Sequence, residues 1–168
     1  IYPGLGDHSE WKENIYAGYV NLVRETRALT IEAGLRIEQT NVSYTLDPAN
    51  IYYPRSDSYS YFRLFPNIRL TKAVGVETDI SLFYNRRVDR PGEQEVRVFP
   101  KYDDPELLKV GNPYLRPQFT TAYEAAIQQD WGSLTASLVV YHRTITNSYQ
   151  RIYAIDQNSG SYDIVNKI

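Results

Sequence analysis

Apolar and polar residues alternate along residues 29–46, LTIEAGLRIEQTNVSYTL. From Leu29 to Ile37 the odd positions carry Leu, Ile, Ala, Leu and Ile, whereas the even positions carry Thr, Glu, Gly and Arg. Because side chains of a strand point alternately to its two faces, this pattern predicts a strand with one apolar and one polar face. The stretch of 18 residues exceeds the ~5–6 of an average globular strand. Barrel strands that cross a membrane need ~9–11 residues, so the stretch fits a barrel strand or a long strand of a soluble sandwich.

The same alternation recurs, less regularly, along most of the chain. The predicted strands are Asn14–Arg24, Leu29–Leu46, Tyr59–Lys72, Val76–Val88, Phe119–Trp131 and Leu134–Thr146. Pro66 interrupts the third of them, where we expect a bulge or a local loss of pairing because proline has no N–H. A hairpin is predicted in the tail around Gln157–Gly160. Shared parity predicts that one set of residues lies on a single face of one antiparallel sheet: Leu29, Ile31, Leu35, Ile37, Ile80, Leu82, Ile127, Leu134 and Leu138.

The connections between these strands are alternately short and long. Residues 25–27, 73–75 and 132–133 form the short ones, and residues 47–58, 89–117 and those from 147 onward form the long ones. In an up-and-down sheet every second connection lies at the same end, so all long loops would share one end. Outer-membrane barrels sort their loops in this way, whereas a soluble sandwich has no reason to. The prediction is therefore an all-β fold, an antiparallel up-and-down meander of about six long strands from a transmembrane β-barrel with long loops on one side.

Composition excludes several kinds of site. Net charge is -2 over 168 residues, with 16 Tyr and no Cys, so nothing favours a nucleic-acid partner, a disulfide or a cysteine-ligated metal. The two histidines are far apart in sequence. Carboxylates recur along the predicted strands, and a polar barrel lumen explains them better than a glycosidase pair: Glu32, Glu38, Glu77, Asp79 and Glu124. We predict no enzyme, no catalytic residues, no metal site and no cofactor.

The loop after residue 47 is the predicted ligand-binding element. Its candidate residues are Tyr52, Tyr53, Arg55, Asp57 and Tyr59. Tyrosine offers a flat apolar ring with a hydroxyl, which suits stacking on sugar rings or catecholates, and arginine binds anionic oxygens in bidentate fashion. An aromatic girdle or an ordinary exposed loop is the alternative interpretation of the same residues.

Residues 84–126 resemble the TonB-dependent outer-membrane receptors. The resemblance rests on an R-x-x-R-P turn (Arg87, Arg90, Pro91), a G-N-P-x-L-x-P motif from Gly111 to Pro117, and an aromatic–acid pair at Tyr123 and Glu124. Three upstream segments are similar to preceding strands of the same family, in the same order: residues 13–22, 33–40 and 61–70. The sequence departs from the family pattern at Glu93, where an aromatic is usual, and at Arg97-Val98, where Asn-Pro is usual.

The resemblance implies an architecture and a function. Such receptors place a plug domain inside a barrel of ~22 strands and use energy from TonB to import scarce ligands such as iron chelates, cobalamin or oligosaccharides. It implies a bacterial outer-membrane location, with outer-membrane lipid, an imported small-molecule ligand and, through the plug region, TonB as partners. We expect residues 1–168 to be a partial barrel without signal peptide, plug or closing strand. The isolated chain is expected to self-associate through its open strand edges. A soluble all-β ligand- or carbohydrate-binding module is the alternative.

Overall fold

The computed structural model describes residues 8–98, 107–155 and 162–167. Its main element is a six-stranded antiparallel sheet in the order β1-β2-β3-β4-β6-β7. A second, three-stranded sheet has the order β5-β9-β8. The elements are β1 (Ser9–Glu25), β2 (Leu29–Leu46), β3 (Ser56–Val74), β4 (Thr78–Asp89), α1 (Glu93–Val96), β5 (Leu107–Val110), β6 (Gln118–Asp130), β7 (Thr135–Thr146), β8 (Gln150–Ile155) and β9 (Tyr162–Lys167).

The predicted meander is confirmed. All six predicted strands are present, and β2 has the predicted bounds. β1 and β3 begin earlier than predicted, at Ser9 and Ser56, because Ser9 pairs with Leu46 and Ser56 with Thr45 at the end of β2. In the tail, β8 and β9 pair antiparallel, while the predicted turn Gln157–Gly160 lies outside the described residues. α1 and β5, within the long connection between β4 and β6, were not predicted.

One face of the main sheet is apolar, as predicted, and we call it the outer face. Cross-strand pairing aligns Leu29, Lys72, Ile80, Ile127 and Leu138 in one row across five strands. The next row contains Ile31, Leu70, Leu82, Ala125 and Val140. These side chains remain in large part exposed, with Leu138 64% exposed. One assignment was wrong: Leu134 lies in the turn before β7, which begins at Thr135.

The apolar band of the outer face is bounded by aromatic residues. Tyr16 on β1 and Phe62 on β3 mark its upper limit, above which the same face carries Asn14, Asn41 and Ser60. On β4 and β6 the rings of Tyr84 and Tyr123 lie 5.0 Å apart. An apolar band with aromatic side chains at its limit is typical of the outward surface of a transmembrane β-barrel.

Short and long connections are sorted to opposite ends of the sheet. Residues 26–28, 75–77 and 131–134 form the short-turn end, where Gly75 (φ 76°) and Gly132 (φ 81°) adopt the left-handed conformation that glycine tolerates. Residues 47–55 and 90–117 and the chain after β7 form the long-loop end. The predicted sorting of loops is confirmed.

Near the long-loop end, β4 and β6 bend over the face opposite to the outer face, which we call the inner face. β3 pairs with β4 only from Asn67 to Val74, whereas β4 and β6 remain paired up to Asp89 and Gln118. Phe119 shares its strand parity with outer-face residues, yet its ring packs against Tyr61 (5.6 Å) and Phe65 (6.4 Å) of the inner face. The tip of the β4–β6 ribbon therefore folds inward.

Pro66 lies where β3 and β4 separate. It stays in register with β2, and pairing of β3 to β4 begins only at the next residue, Asn67.

The buried residues gather at the long-loop end of the inner face. Tyr44, Leu46 and Val98 form a small core, against which Trp11 and Tyr53 pack. The helix α1 comprises 4 residues, and no helix in the described part of the chain is long and apolar enough to cross a membrane.

Candidate ligand site at the long-loop end

The connection between β4 and β6 lies across the inner face. We call its described residues, 90–98 and 107–117, the strap. Val98 and Leu115 of the strap are 0% exposed, and Val98 packs on Tyr44 and Leu46 of β2. The strap thus covers the end of β2 whose even-numbered residues, from Glu38 to Leu46, are buried.

At Gly111 the second segment of the strap crosses the first, in backbone contact with Glu95 and Arg97. A Cβ added there would lie 2.5 Å from the carbonyl oxygen of Glu95 and 2.7 Å from the backbone N and O of Arg97. The crossing is closed by hydrogen bonds from Gly111 N–H to Arg97 O (2.6 Å) and from Asn112 N–H to Glu95 O (2.7 Å). The Asn112 side chain then accepts a bond from Tyr114 N–H at 2.9 Å. The Gly-Asn-Pro motif is therefore a turn, as predicted, but one that also requires glycine for backbone contact.

A buried carboxylate lies beneath the first residue of the strap. Glu38 on β2 is 1% exposed. Its Oε1 accepts hydrogen bonds from Arg90, from Thr40 at 3.0 Å and from Tyr61 at 3.3 Å, while its Oε2 pairs with Arg36 at 3.0 Å. A charge this deeply buried persists only when it is paired and hydrogen-bonded, and Glu38 meets both conditions.

A group of tyrosines and one arginine lies where the strap meets the loop 47–55. Arg116 of the strap pairs with Asp57 at 3.2 Å and stacks over the ring of Tyr59 at 4.2 Å. Tyr114 of the strap meets Tyr53 of the loop edge-to-face at 5.4 Å. We call these residues, with the adjacent Tyr44, the tyrosine–arginine group.

Two polar atoms of this group have no hydrogen-bond partner among the described residues. The Tyr44 hydroxyl and Nη1 of Arg116 are buried without a hydrogen-bond partner in the described structure. Burial, followed by the neighbouring Tyr114, raises the pKa of Tyr53 above its usual value, so its hydroxyl stays protonated and can donate. Phenol rings beside a guanidinium suit an oxygen-rich or anionic aromatic ligand.

The structure brings together Tyr53, Asp57 and Tyr59 of the predicted site. Tyr52 and Arg55 are exposed, and in their described hydrogen bonds each takes part through its own backbone. Tyr52 N–H donates to Asn50 Oδ1 at 3.0 Å, and Arg55 O accepts from Leu46 N–H at 2.7 Å. These two lie outside the group. Their role in binding, like that of the other three, stays a prediction.

Sequence reasoning missed Tyr44, Tyr114 and Arg116. A signal for Tyr44 was present, because apolar residues in β2 move from odd to even positions after Ile37, as Val42, Tyr44 and Leu46 show. That change indicates a second packed surface on the inner face. Tyr114 and Arg116 lie inside the Gly-Asn-Pro segment, whose position depends on the strap. Among the residues that the structure describes, no cluster of three or more His, Asp or Glu side chains could hold a metal.

Solved structures share this fold. The copper transporter OprC superimposes with a TM-score of 0.65 at 13% identity, covering 92% of this chain and 24% of that protein. A double mutant of the Serratia marcescens hemophore receptor HasR, solved in complex with its hemophore HasA and heme, gives 0.63 at 17% identity, covering 92% and 29%. The siderophore receptor PirA from Pseudomonas aeruginosa gives 0.51 at 11% identity, covering 94% and 37%. The chain thus spans well under half the length of each of these proteins.

The sequence also matches a family directly. No curated protein matches the chain, but residues 1–166 match the family described as the outer membrane protein beta-barrel family. This match confirms the predicted barrel fold and outer-membrane location, and the soluble-module alternative does not hold. The chain belongs to the outer membrane protein beta-barrel family.

Proposed function

We propose that this chain is part of the barrel wall of a TonB-dependent outer-membrane receptor. Its cargo would be a scarce ligand such as an iron chelate, cobalamin or an oligosaccharide. The observation that carries the proposal is the tyrosine–arginine group, which lies on the inner face at the long-loop end, where an outer-membrane barrel opens to the medium. The neighbours with the same fold, a copper transporter, a hemophore receptor and a siderophore receptor, support this kind of cargo.

The chemistry of the group fits a ligand with oxygen donors on a flat framework. Tyr53 and Tyr59 present rings for stacking, and Arg116 has one guanidinium nitrogen beyond the pair it forms with Asp57. A guanidinium that already stacks on one ring is pre-organised for a second planar partner. These groups bind and orient a ligand without performing a reaction on it.

The orientation in the membrane can be tested in the full-length protein. A short epitope inserted in residues 47–55 is expected to be accessible to antibody on intact cells. The same epitope inserted at residues 75–77, in a short turn, is expected to become accessible only after the outer membrane is permeabilised. Surface exposure of both epitopes, or of the second alone, would overturn the proposed orientation.

The transport function is tested by uptake in cells that carry only this receptor. Ferric siderophore, heme, Cu²⁺, cobalamin and a maltooligosaccharide, each radiolabelled, serve as probes. Uptake of at least one is expected and is lost when TonB is deleted. Tyr59→Ala is expected to weaken binding of that probe, whereas Tyr52→Ala, a tyrosine of the same segment outside the group, is the matched control. TonB-independent uptake would exclude the proposed transport, and equal effects of the two variants would exclude the site.

A further inference from the structure

We propose that Arg90 is a positioning residue that fixes the strap across the inner face and thereby completes the tyrosine–arginine group. The inference rests on the proposed function only for its consequence, ligand binding. The attachment of Arg90 to β1 and β2, neither of which is paired with β4, rests on the structure alone.

Arg90 joins the strap to distant strands of the wall. It is the first residue after β4, yet its guanidinium pairs with Glu38 on β2 and, through Nε at 3.1 Å, with Glu13 on β1. Since the strand order is β1-β2-β3-β4, these pairs join Arg90 to strands beyond β3, the neighbour of β4. The chain is therefore directed over the inner face from the moment it leaves β4.

The strands β1, β2 and β3 depend on Arg90 less than the strap does. If Arg90 is removed, Glu38 keeps Arg36 at 3.0 Å and Thr40 at 3.0 Å. The strands β1, β2 and β3 also keep their continuous ladders of backbone pairs. What is lost is the charged attachment at the first residue of the strap, while the pair of Arg116 with Asp57 lies at the other end of the strap. A defect at Arg90 is therefore expected in the strap before it is expected in the sheet.

Arginine suits this attachment better than lysine. One guanidinium donates a hydrogen bond from Nη2 to Glu38, and its Nε lies 3.1 Å from the Glu13 carboxylate as an ion pair. The planar guanidinium of arginine can hydrogen-bond one carboxylate and still lie beside the other, whereas the single ammonium of lysine is a point charge on a flexible stem. Lysine should therefore restore part of the attachment and glutamine little of it.

The far end of the strap carries the ligand-facing residues. Arg116 and Tyr114 reach Asp57, Tyr59 and Tyr53 only because the strap returns over β2. Between the two ends, Val98 is packed on Tyr44 and Leu46. Release of the strap at Arg90 would therefore expose Val98 and remove Arg116 from the group together.

Thiol labelling of the full-length receptor in detergent tests the proposal. Residues 1–168 contain no cysteine, and any cysteine elsewhere in the receptor is first replaced by serine. Val98→Cys then places a single reporter at a position that is 0% exposed, and Val76→Cys, at a position that is 100% exposed, is the matched control. With Arg90→Gln, the labelling rate at position 98 is expected to rise by about tenfold or more, as follows from losing one charged hydrogen bond. Arg90→Lys is expected to give an intermediate rate, and Val76→Cys the same rate in every background.

A second readout separates this proposal from the proposed function. Migration of unheated samples on an electrophoresis gel reports whether the barrel remains folded in each variant. A folded Arg90→Gln receptor whose Val98→Cys reporter stays protected would overturn the role of Arg90. If the reporter becomes accessible but binding of the transported probe is unchanged, the strap is held by Arg90 and the tyrosine–arginine group is not the ligand site. Accessibility together with loss of probe binding supports both.

Discussion

A charge at Leu35 should destabilise the barrel strongly, because Leu35 lies on the outer face between Val20 and Pro66. The apolar stretch of β2 runs from Leu29 to Ile37, and its midpoint is Ala33. At a rise of ~3.3 Å per residue and a strand tilt of ~40°, Leu35 lies about 5 Å from the membrane midplane, whereas Leu29 lies at the edge of the apolar band.

These depths set the expected costs. Leu35→Arg is expected to lower the free energy of unfolding by ~2–4 kcal/mol, and Leu29→Arg by ~0–1 kcal/mol because its side chain reaches the interface. Thr30→Arg places the same charge on the inner face, opposite Glu25 of β1. Its cost should stay within ~1 kcal/mol, since a cross-strand pair of opposite charges contributes ~0.2–1 kcal/mol in the favourable direction.

Urea titrations of the full-length receptor refolded into lipid vesicles measure these differences. Leu35→Arg should lower the free energy of unfolding the most, and both Leu29→Arg and Thr30→Arg should lower it much less. If Thr30→Arg proved as costly as Leu35→Arg, the assignment of the two faces would be wrong. If Leu29→Arg proved as costly as Leu35→Arg, the assignment of the two faces would still hold, but the position of the apolar band along β2 would be wrong.

Two further predictions follow from the same structure. Gly111→Ala is expected to lower the free energy of unfolding by ~1–3 kcal/mol, because the added Cβ overpacks against backbone atoms. Gly18→Ala, whose added Cβ has no atom within 4 Å, should be nearly neutral. Urea titration of the two variants measures the difference, and equal effects would contradict the close backbone contact at Gly111. The isolated chain without detergent is expected to associate through its apolar outer face and the free edges of β1 and β7; light scattering that shows a clean monomer would contradict this.

The sequence predicted the strands wherever an apolar stripe defined them. β2 was found with its correct bounds because apolar residues alternate at both of its ends, on odd positions up to Ile37 and on even positions from Val42 to Leu46. The starts of β1 and β3 were missed, since Ser9 and Ser56 belong to polar segments with no apolar stripe. Their strand conformation comes from pairing with Leu46 and Thr45 of β2, and such pairing is a tertiary effect that local periodicity does not contain.

The candidate site was predictable only in part for a related reason. Tyr53, Asp57 and Tyr59 were found because they lie close together in one aromatic segment. Tyr114 and Arg116 reach the same place through the strap. The course of the strap depends on an ion pair between Arg90 and Glu38, residues far apart in the chain. The motif containing Arg90 was recognised from its spacing, but spacing does not identify the partner of a charge.

The parallel pairing of β5 with β9 has a consequence for the order of folding. In the main sheet, three of the five pairings join strands connected by short turns, so these hairpins close early at low entropic cost. β5 pairs instead with a strand beyond β6, β7 and β8, a contact of high sequence separation that forms slowly. The six strands of the main sheet can thus assemble in the membrane before the three-stranded sheet β5-β9-β8 forms, and this small sheet is the part of the chain whose folding can wait.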